Sequence, residues 1–328
     1  MKTMQLLIIT CVTLMLAPMV HAQRQHAFIW NAGTGMTDLG TLGGDSSFAL
    51  GVNDSGEVRG YSYLADNTTY HAFTWTAAGG MVDLGTADGH STRAWAINSA
   101  GDLAGDSGTL LPFYWSTEGG FVLLGHNPGY NFAFGINDNS DVTGQFYDSN
   151  DRVQGFHWSA TSGLRKIGDL SGLNSVGNAI NNQRHITGTA NLDTDVYVAI
   201  IWRRAVGLRE IAAIGGGRYT AGEAINDNDE IVGVAVSFSN KDTGFYWSQA
   251  TGMTLLQTLG GTQSAGFGIN QSGEFAGYTT DAAEAFHATT WATNTSAPQD
   301  LGTLPGGTNS FARGINNLGQ VVGFSDVP

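Results

Sequence analysis

Cysteine is all but missing from this sequence. The single copy, Cys11, lies inside the apolar run Leu6 to Leu16, not at a cleavage point where a lipid-bearing cysteine would stand. The chain beyond it has no disulfide, no thiol nucleophile and no cysteine metal site, so its stability must come from packing. Long hydrophobic runs are missing as well. Leu6 to Leu16 is shorter than the roughly 20 residues a membrane-spanning helix needs, and no later segment is continuously apolar. With one lysine before that run and the small-x-small site Val20-His21-Ala22 after it, Met1 to Ala22 reads as a secretory signal peptide cleaved after Ala22. The expected organisation is residues 1–22 as signal and 23–328 as one domain, secreted or periplasmic and monomeric. Positive charge is scarce too: 14 Lys and Arg stand against 28 Asp and Glu, a net charge of −14. Lys and Arg neutralising phosphates supply most nucleic-acid affinity, so nucleic acid and anionic membranes are excluded as expected partners. No window carries a helical period.

What the sequence has in quantity is glycine, 47 residues, with 41% hydrophobic and 10% aromatic residues spread evenly. That composition fits short strands joined by tight turns and not disorder. One pattern returns seven times: ALGVNDSGEVRG from Ala49, AWAINSAGDLAG from Ala94, AFGINDNSDVTG from Ala133, GNAINNQRHITG from Gly177, GEAINDNDEIVG from Gly222, GFGINQSGEFAG from Gly266 and ARGINNLGQVVG from Ala312. Each Asn, from Asn53 to Asn316, is followed seven residues later by a Gly, from Gly60 to Gly323. Trp30, Trp75, Trp115, Trp158, Trp202, Trp247 and Trp291 recur at the same period, in segments rich in aromatic and β-branched residues such as HAFIW and GFYW. A Gly-containing turn and a short second strand of the MTDLG or MVDLG type follow most of them.

Each unit of about 44 residues therefore holds two hairpins. We name its strands A (small residues, ending in Asn), B (ending at the repeat Gly), C (Trp) and D (DLG). In the A–B turn the Asx side chain bonds nearby amides and Gly56, Gly101, Gly273 and Gly319 take positive φ. Ser140, Arg184 and Asp229 stand at that position in three units, which predicts turns that are strained or differently built. Small residues alternate along every A strand, as at Ala49 and Gly51, and mark where neighbouring sheets crowd. Seven units of four strands predict a seven-bladed, all-β propeller of four-stranded antiparallel blades. The phase places C and D strands at the start of the chain and A and B at its end, so the two ends are expected to share one blade and close the ring.

The consensus HAF-W, G-M-x-D-L-G-T-L-G-G, S-x-A-x-x-I-N-x-x-G-x-V-x-G resembles the HAF-type extracellular repeat family of bacterial secreted proteins. It covers residues 26 to 325 and is best at His26 to Gly60, His71 to Gly105 and Gly302 to Gly323. Leu111, Gln154, Val198 and Thr243 replace its histidine in the middle units. The resemblance implies export and a propeller-like repeat, and it supplies no catalytic residue.

Residues that could carry chemistry are few. His26, His71 and His287 recur on C strands but four units do without, which favours a structural hydrogen bond over catalysis. The seven Asn are read as pinning the A–B turns through backbone bonds. Glu57, Asp102, Asp141, Glu230 and Glu274, with His185 and Gln320, occupy one turn position and are read as a solvated row. Asp227 to Glu230 lacks the Gly and bidentate Glu of a calcium loop. No metal ligand is assigned, although a bound cation such as calcium is left open.

Variable loops on a rigid scaffold carry binding residues, so the site is expected where the D–A and B–C loops emerge. Eight residues before each turn Asn stand Asp45, His90, Gly129, Leu173, Arg218, Thr262 and Thr308. The expected ligand-binding set is Asp45, His90, His126, Tyr130, Asn131, Arg218 and Tyr219. Tyr, Asp and Asn in these loops suit carbohydrate, whose faces stack on rings while its hydroxyls need planar partners. Three readings follow: a module binding an extracellular saccharide or protein, a polysaccharide lyase or hydrolase using His90, His126, Arg218 and Tyr219, or a structural scaffold. The favoured one is the binding module, because no nucleophile–base set or phosphate loop is present. Convergence of those four residues on one pocket would favour the enzyme.

Overall fold

The computed structural model describes residues 24–125, 130–192, 196–212, 217–237 and 240–328, and these hold 28 strands and no helix. The first complete unit shows the build. Its A strand Gly43–Val52 pairs with B, Val58–Leu64; B pairs with C, Tyr70–Thr76; and C pairs with D, Gly80–Asp83, all antiparallel. Five four-stranded sheets of this kind occur, with one eight-stranded sheet. The larger sheet arises where Tyr197–Arg203 meets Gly217–Ile225 through a single parallel pair, Tyr197 with Tyr219.

One sheet joins the two ends of the chain, in the order Gly35–Asp38, Arg24–Asn31, Val321–Val327, Ser310–Ile315. Its seam runs from Arg24 opposite Val327 to Trp30 opposite Val321. The shared sheet expected from the phase of the repeat is therefore present. Pairing the ends removes two sheet edges that would otherwise be open.

The core lies between neighbouring sheets. Phe28, Phe73, Phe113, Phe156, Ile200 and Phe245, each two residues before a repeat Trp, are fully buried, whereas Trp30, Trp75, Trp115, Trp158 and Trp202 stay partly exposed. A second tie crosses from sheet to sheet. Backbone N–H groups at Ala27, Ala72, Gly155, Gly244 and Ala288 donate to the hydroxyls of Ser47, Thr92, Ser175, Ser264 and Ser310 at 2.8–3.0 Å. Four of those hydroxyls donate onward to Gly40, Gly85, Gly168 and Gly302 carbonyls at 2.6 Å. A buried N–H left unpaired would be costly, so this position of the A strand is restricted to short polar residues.

Every A strand carries a β-bulge, at Leu50, Trp95, Phe134, Asn178, Glu223, Phe267 and Arg313, between the two small residues of the pattern. A bulge leaves one residue unpaired and bends its strand. Here it also drives an A-strand carbonyl against the repeat Gly of strand B. A β-carbon on Gly60, Gly105, Gly144, Gly188, Gly233, Gly277 or Gly323 would lie 1.8–2.1 Å from that oxygen, which accounts for the Gly seven residues after every Asn. The small residues flanking the bulge face the next sheet: a β-carbon on Gly51 would meet Ile97 Cγ2 at 3.0 Å, and one on Gly135 would meet Ala179 Cα at 2.9 Å. In the A–B turns Ser140, Arg184 and Asp229 hold φ of 56°, 65° and 59°, the left-handed strain expected there.

Three outcomes follow. Gly144→Ala should destabilise the protein by about 3 kcal/mol or more, since the backbone carbonyl of Phe132 cannot move aside. Gly125→Ala, with open space around it, should stay within about 0.5 kcal/mol of the wild type in urea unfolding. Deleting residues 23–40 should lower the melting temperature by about 10 °C or more, and a truncated protein that melts like the intact one would show that the seam contributes little.

Candidate functional site

The bulged residue of each A strand turns toward the axis around which the sheets are arranged. Leu50, Trp95, Phe134, Asn178, Glu223, Phe267 and Arg313 together line a cavity of about 270 Å³. Neighbouring residues in this ring differ in chemistry and fall into two arcs. Leu50, Trp95 and Phe134 are contiguous and apolar; Trp95 and Phe134 meet edge to face at 5.9 Å. The Trp95 indole N–H donates to Asp106, whose carboxylate also holds Arg93 at 2.9 Å, so this ring is fixed from behind. Asn178, Glu223 and Arg313 form the polar arc, with Phe267 between the last two.

Within the polar arc the amide of Asn178 donates to the Gly222 carbonyl at 3.0 Å and to Glu223 Oε2 at 3.4 Å. Glu223 Oε1 is buried and has no hydrogen-bond partner among the described residues. Burial pushes the Glu223 carboxyl up to about 8 from the ordinary 4.5, against the opposing pull of Arg313. The Arg313 guanidinium lies 4.2 Å from the Phe267 ring centre and 5.5 Å from that of Phe324, within the range of a cation–π contact.

Phe48, Tyr61 and Phe324 also line this cavity, and with Phe311 they belong to one buried cluster. Toward the A–B turns a collar of Val52, Ile97, Ile136, Ile180, Ile269 and Ile315 lines both the axial cavity and an outer cavity of about 180 Å³. The outer cavity, at the turn mouth, therefore meets the axial cavity at this collar.

The seven repeat Asn surround that mouth. Each Oδ1 accepts backbone N–H groups two and four residues on, as at Ser55 and Glu57, which is the pinning role expected of them. Each Nδ2 also donates to the backbone carbonyl of the Asn in the next unit, from Asn53 to Asn98 and round to Asn316 and back to Asn53, at 2.9–3.4 Å. Outside this ring Asp54, Asp138 and Asp227 accept N–H groups of the preceding unit at 2.8 Å.

The acidic turn row is not solvated as the sequence led us to expect. Asp141 is buried and holds Arg184 at 2.6 Å. Asp102 accepts the hydroxyls of Tyr114 and Ser140, and Glu230 that of Tyr246. Contacts made 38 residues away in the chain, as between Asp102 and Ser140, cannot be read from the turn itself. The C-strand histidines take the structural role expected: His26, His71 and His287 bond Asp38, Asp83 and Asp300 on the adjoining D strands at 2.8–3.0 Å. Among the described residues no group of three or more His, Asp or Glu is placed to hold a metal.

Of the loop residues expected to bind ligand, the structure describes the side chains of Asp45, His90, Tyr130, Asn131 and Tyr219. His126 lies outside the described residues, as does the side chain of Arg218. His90 is 58% exposed and bonded to Asp88, whereas Tyr219 is 9% exposed against Tyr197, two sheets further round the ring from the sheet that His90 leads into. Asp45 is exposed and bonded to Asn67. Tyr130 is exposed and tilted against Tyr147. Asn131 is 3% exposed and accepts the Tyr147 N–H at 2.9 Å; it occupies the Ser/Thr position of the sheet-to-sheet tie. The bulged ring is hidden in the sequence because the small residues either side of it carry the period. The available signal was a position varying from Leu to Trp to Glu to Arg inside an otherwise constant strand.

No family model matches the chain, and no curated protein matches it in sequence. Solved structures do resemble it. TolB from Acinetobacter baumannii superposes with a TM-score of 0.54 at 9% identity, over 83% of this chain and 63% of that one. An oligogalacturonate lyase in complex with manganese gives 0.53 at 9% identity, over 93% and 98% of the two chains. The Dos1 propeller gives 0.52 at 9% identity, over 85% and 92%. At such identity the likeness is one of fold, a β-propeller, and the chain spans 63% of the length of the TolB chain it matches.

Glu223 makes stability depend on pH. A carboxyl raised by burial contributes fully below its unfolded value of 4.5, and the contribution is lost as pH rises toward 8. Relative to Glu223→Gln, the wild type should lose on the order of 2 kcal/mol between those limits, less than the whole shift because part of the side chain faces the cavity. Parallel pH–stability curves for the two proteins would show that folding leaves the Glu223 carboxyl at its ordinary value.

Proposed function

We propose that this protein is an exported seven-bladed β-propeller of the HAF-type repeat class that binds a small extracellular ligand in its axial cavity. The blade count rests on treating the eight-stranded sheet as two blades bridged at Tyr197 and Tyr219, in keeping with seven bulges and seven linked Asn. Export rests on the signal-like segment Met1 to Ala22, which lies outside the described residues.

The observation that carries the binding reading is the bulged ring. Around the bulge each unit is constrained by packing and hydrogen bonds, yet the bulged residue that it presents to the cavity varies from Leu and Trp to Glu and Arg. An apolar arc of Leu50, Trp95 and Phe134 facing Asn178, Glu223 and Arg313 suits a molecule with one apolar face and one hydrogen-bonding edge. A sugar ring has that character. At about 270 Å³ the cavity falls just below the range that holds drug-sized ligands, so the ligand is a single small unit and not a chain. Hydrolysis of a glycosidic bond ordinarily needs two carboxylates flanking it, and among the described residues Glu223 is the one carboxylate in the cavity lining. Binding is accordingly favoured over hydrolysis.

Trp95→Ala and Phe134→Ala should each weaken binding of a retained sugar about tenfold, the loss of a ring-stacking contact. Tyr130→Ala and His90→Ala should leave it unchanged by calorimetry. The reverse pattern would move the site to the loop face, as the sequence alone led us to expect.

A further inference from the structure

We infer that the axial cavity selects a ligand bearing a carboxylate, held between Arg313 and Glu223 with its apolar face against Trp95 and Phe134. The inference rests on the proposed axial site and goes further by fixing the charge of what enters it.

Three features of the polar arc point this way. The first is the orphan oxygen, Glu223 Oε1, buried without a hydrogen-bond partner among the described residues, while Oε2 already accepts from Asn178. The second is Arg313, whose guanidinium lies on the Phe267 face and borders the cavity. Its planar fork of donors matches a carboxylate. The third is the protonation state. With burial raising the Glu223 carboxyl to about 8, its free oxygen carries a proton at neutral pH and is a donor. Glu223 and Arg313 border the cavity from the units either side of Phe267, and an acceptor with negative charge suits both a protonated carboxyl and a guanidinium. A cationic ligand would meet Arg313 and require Glu223 to give up its proton.

Titratable and charged groups facing Glu223 from neighbouring strands are Arg313 on Ser310–Ile315 and Tyr278 on Phe275–Asp281. Arg313 in turn faces Tyr61 and Asp242. None of the tyrosines titrates near neutrality, because burial raises Tyr61 and Tyr278 above the ordinary value, and Asp242 is engaged by the Tyr278 hydroxyl. Glu223 is then the group that changes charge as pH passes about 8. Above that pH it becomes an anion beside the ligand carboxylate, and binding should fail.

The test uses one sugar ring in three charge states, glucuronate, glucose and glucosamine, with the intact protein and thermal shift as the readout. At a concentration of about 20 mM, glucuronate should raise the melting temperature near pH 6, with glucose and glucosamine giving little or none. Raising the pH to about 9 should abolish the glucuronate shift in the wild type and leave it in Glu223→Gln, whose amide still donates. Arg313→Met should lose the shift at both pH values. If Arg313→Met does not fold, the pH contrast between wild type and Glu223→Gln still decides. An equal response to glucose and glucuronate, abolished by Trp95→Ala, would leave the axial site standing and overturn the carboxylate. A glucosamine response that strengthens above pH 8 would do the same. Glucuronate binding untouched by Trp95→Ala and Phe134→Ala would overturn the axial site itself, and no shift from any of the three would overturn both.

Discussion

The bulge in each A strand is the constraint on which the rest of the axis depends. By adding one residue between two small ones, it turns the added side chain toward the centre and presses a carbonyl oxygen onto strand B. The pressed oxygen admits only Gly opposite it. The small neighbours let adjacent A strands approach to backbone contact, with a β-carbon on Gly314 falling 3.3 Å from Gly51 Cα. Close approach in turn brings the turns within reach of each other, and the Asn side chains can then span from one unit to the next. Removing the bulge would shift register by one residue and exchange the faces of the strand.

Closure follows from the same geometry. Each inter-unit Asn bond contributes only about 1 kcal/mol net, but a buried carbonyl left without its donor costs more than that. Seven bonds in a circle mean that no unit can move outward without orphaning a group on both sides. The seam between Arg24–Asn31 and Val321–Val327 places covalently distant strands in one sheet, so the ring is also closed through backbone pairing. The outer Asp and Asn side chains repeat the linkage at a second radius, from Ser99 to Asp138, Asp138 to Asn182 and Asn182 to Asp227.

What the sequence made legible was whatever recurs. The Asn-to-Gly interval, the Trp period and the small-residue alternation placed all four strands of a unit and the shared terminal sheet, and the non-Gly turn residues announced their positive φ. Contacts between units were illegible, since a repeat read in isolation shows turn chemistry and not what the next turn does to it. Asp141 looked like a surface acid and is a buried partner of Arg184; Asn131 looked like a loop ligand and is buried, accepting the Tyr147 N–H within its own sheet. The axial residues were hidden for the opposite reason. Their variety carries no period, and a search for constancy passes over the one position at which constancy is absent.

Charge at the axis runs against charge on the whole chain. A net −14 and the aspartates of the turn mouth repel anions at a distance, but those aspartates are solvated at the rim, where salt screens fields beyond about 8 Å. Inside the collar the balance reverses. Unit charges about 4 Å apart interact by roughly 4 kcal/mol at the effective dielectric of a protein near its surface, and a neutral Glu223 leaves Arg313 as the dominant charge of the polar arc. Distant repulsion of this kind slows entry more than it weakens the bound state, because long-range charge acts mainly on association and close pairs on dissociation. On the proposed reading, an anionic polymer would keep its many charges outside in the acidic field, while a single small carboxylate that clears the collar would exchange that field for Arg313.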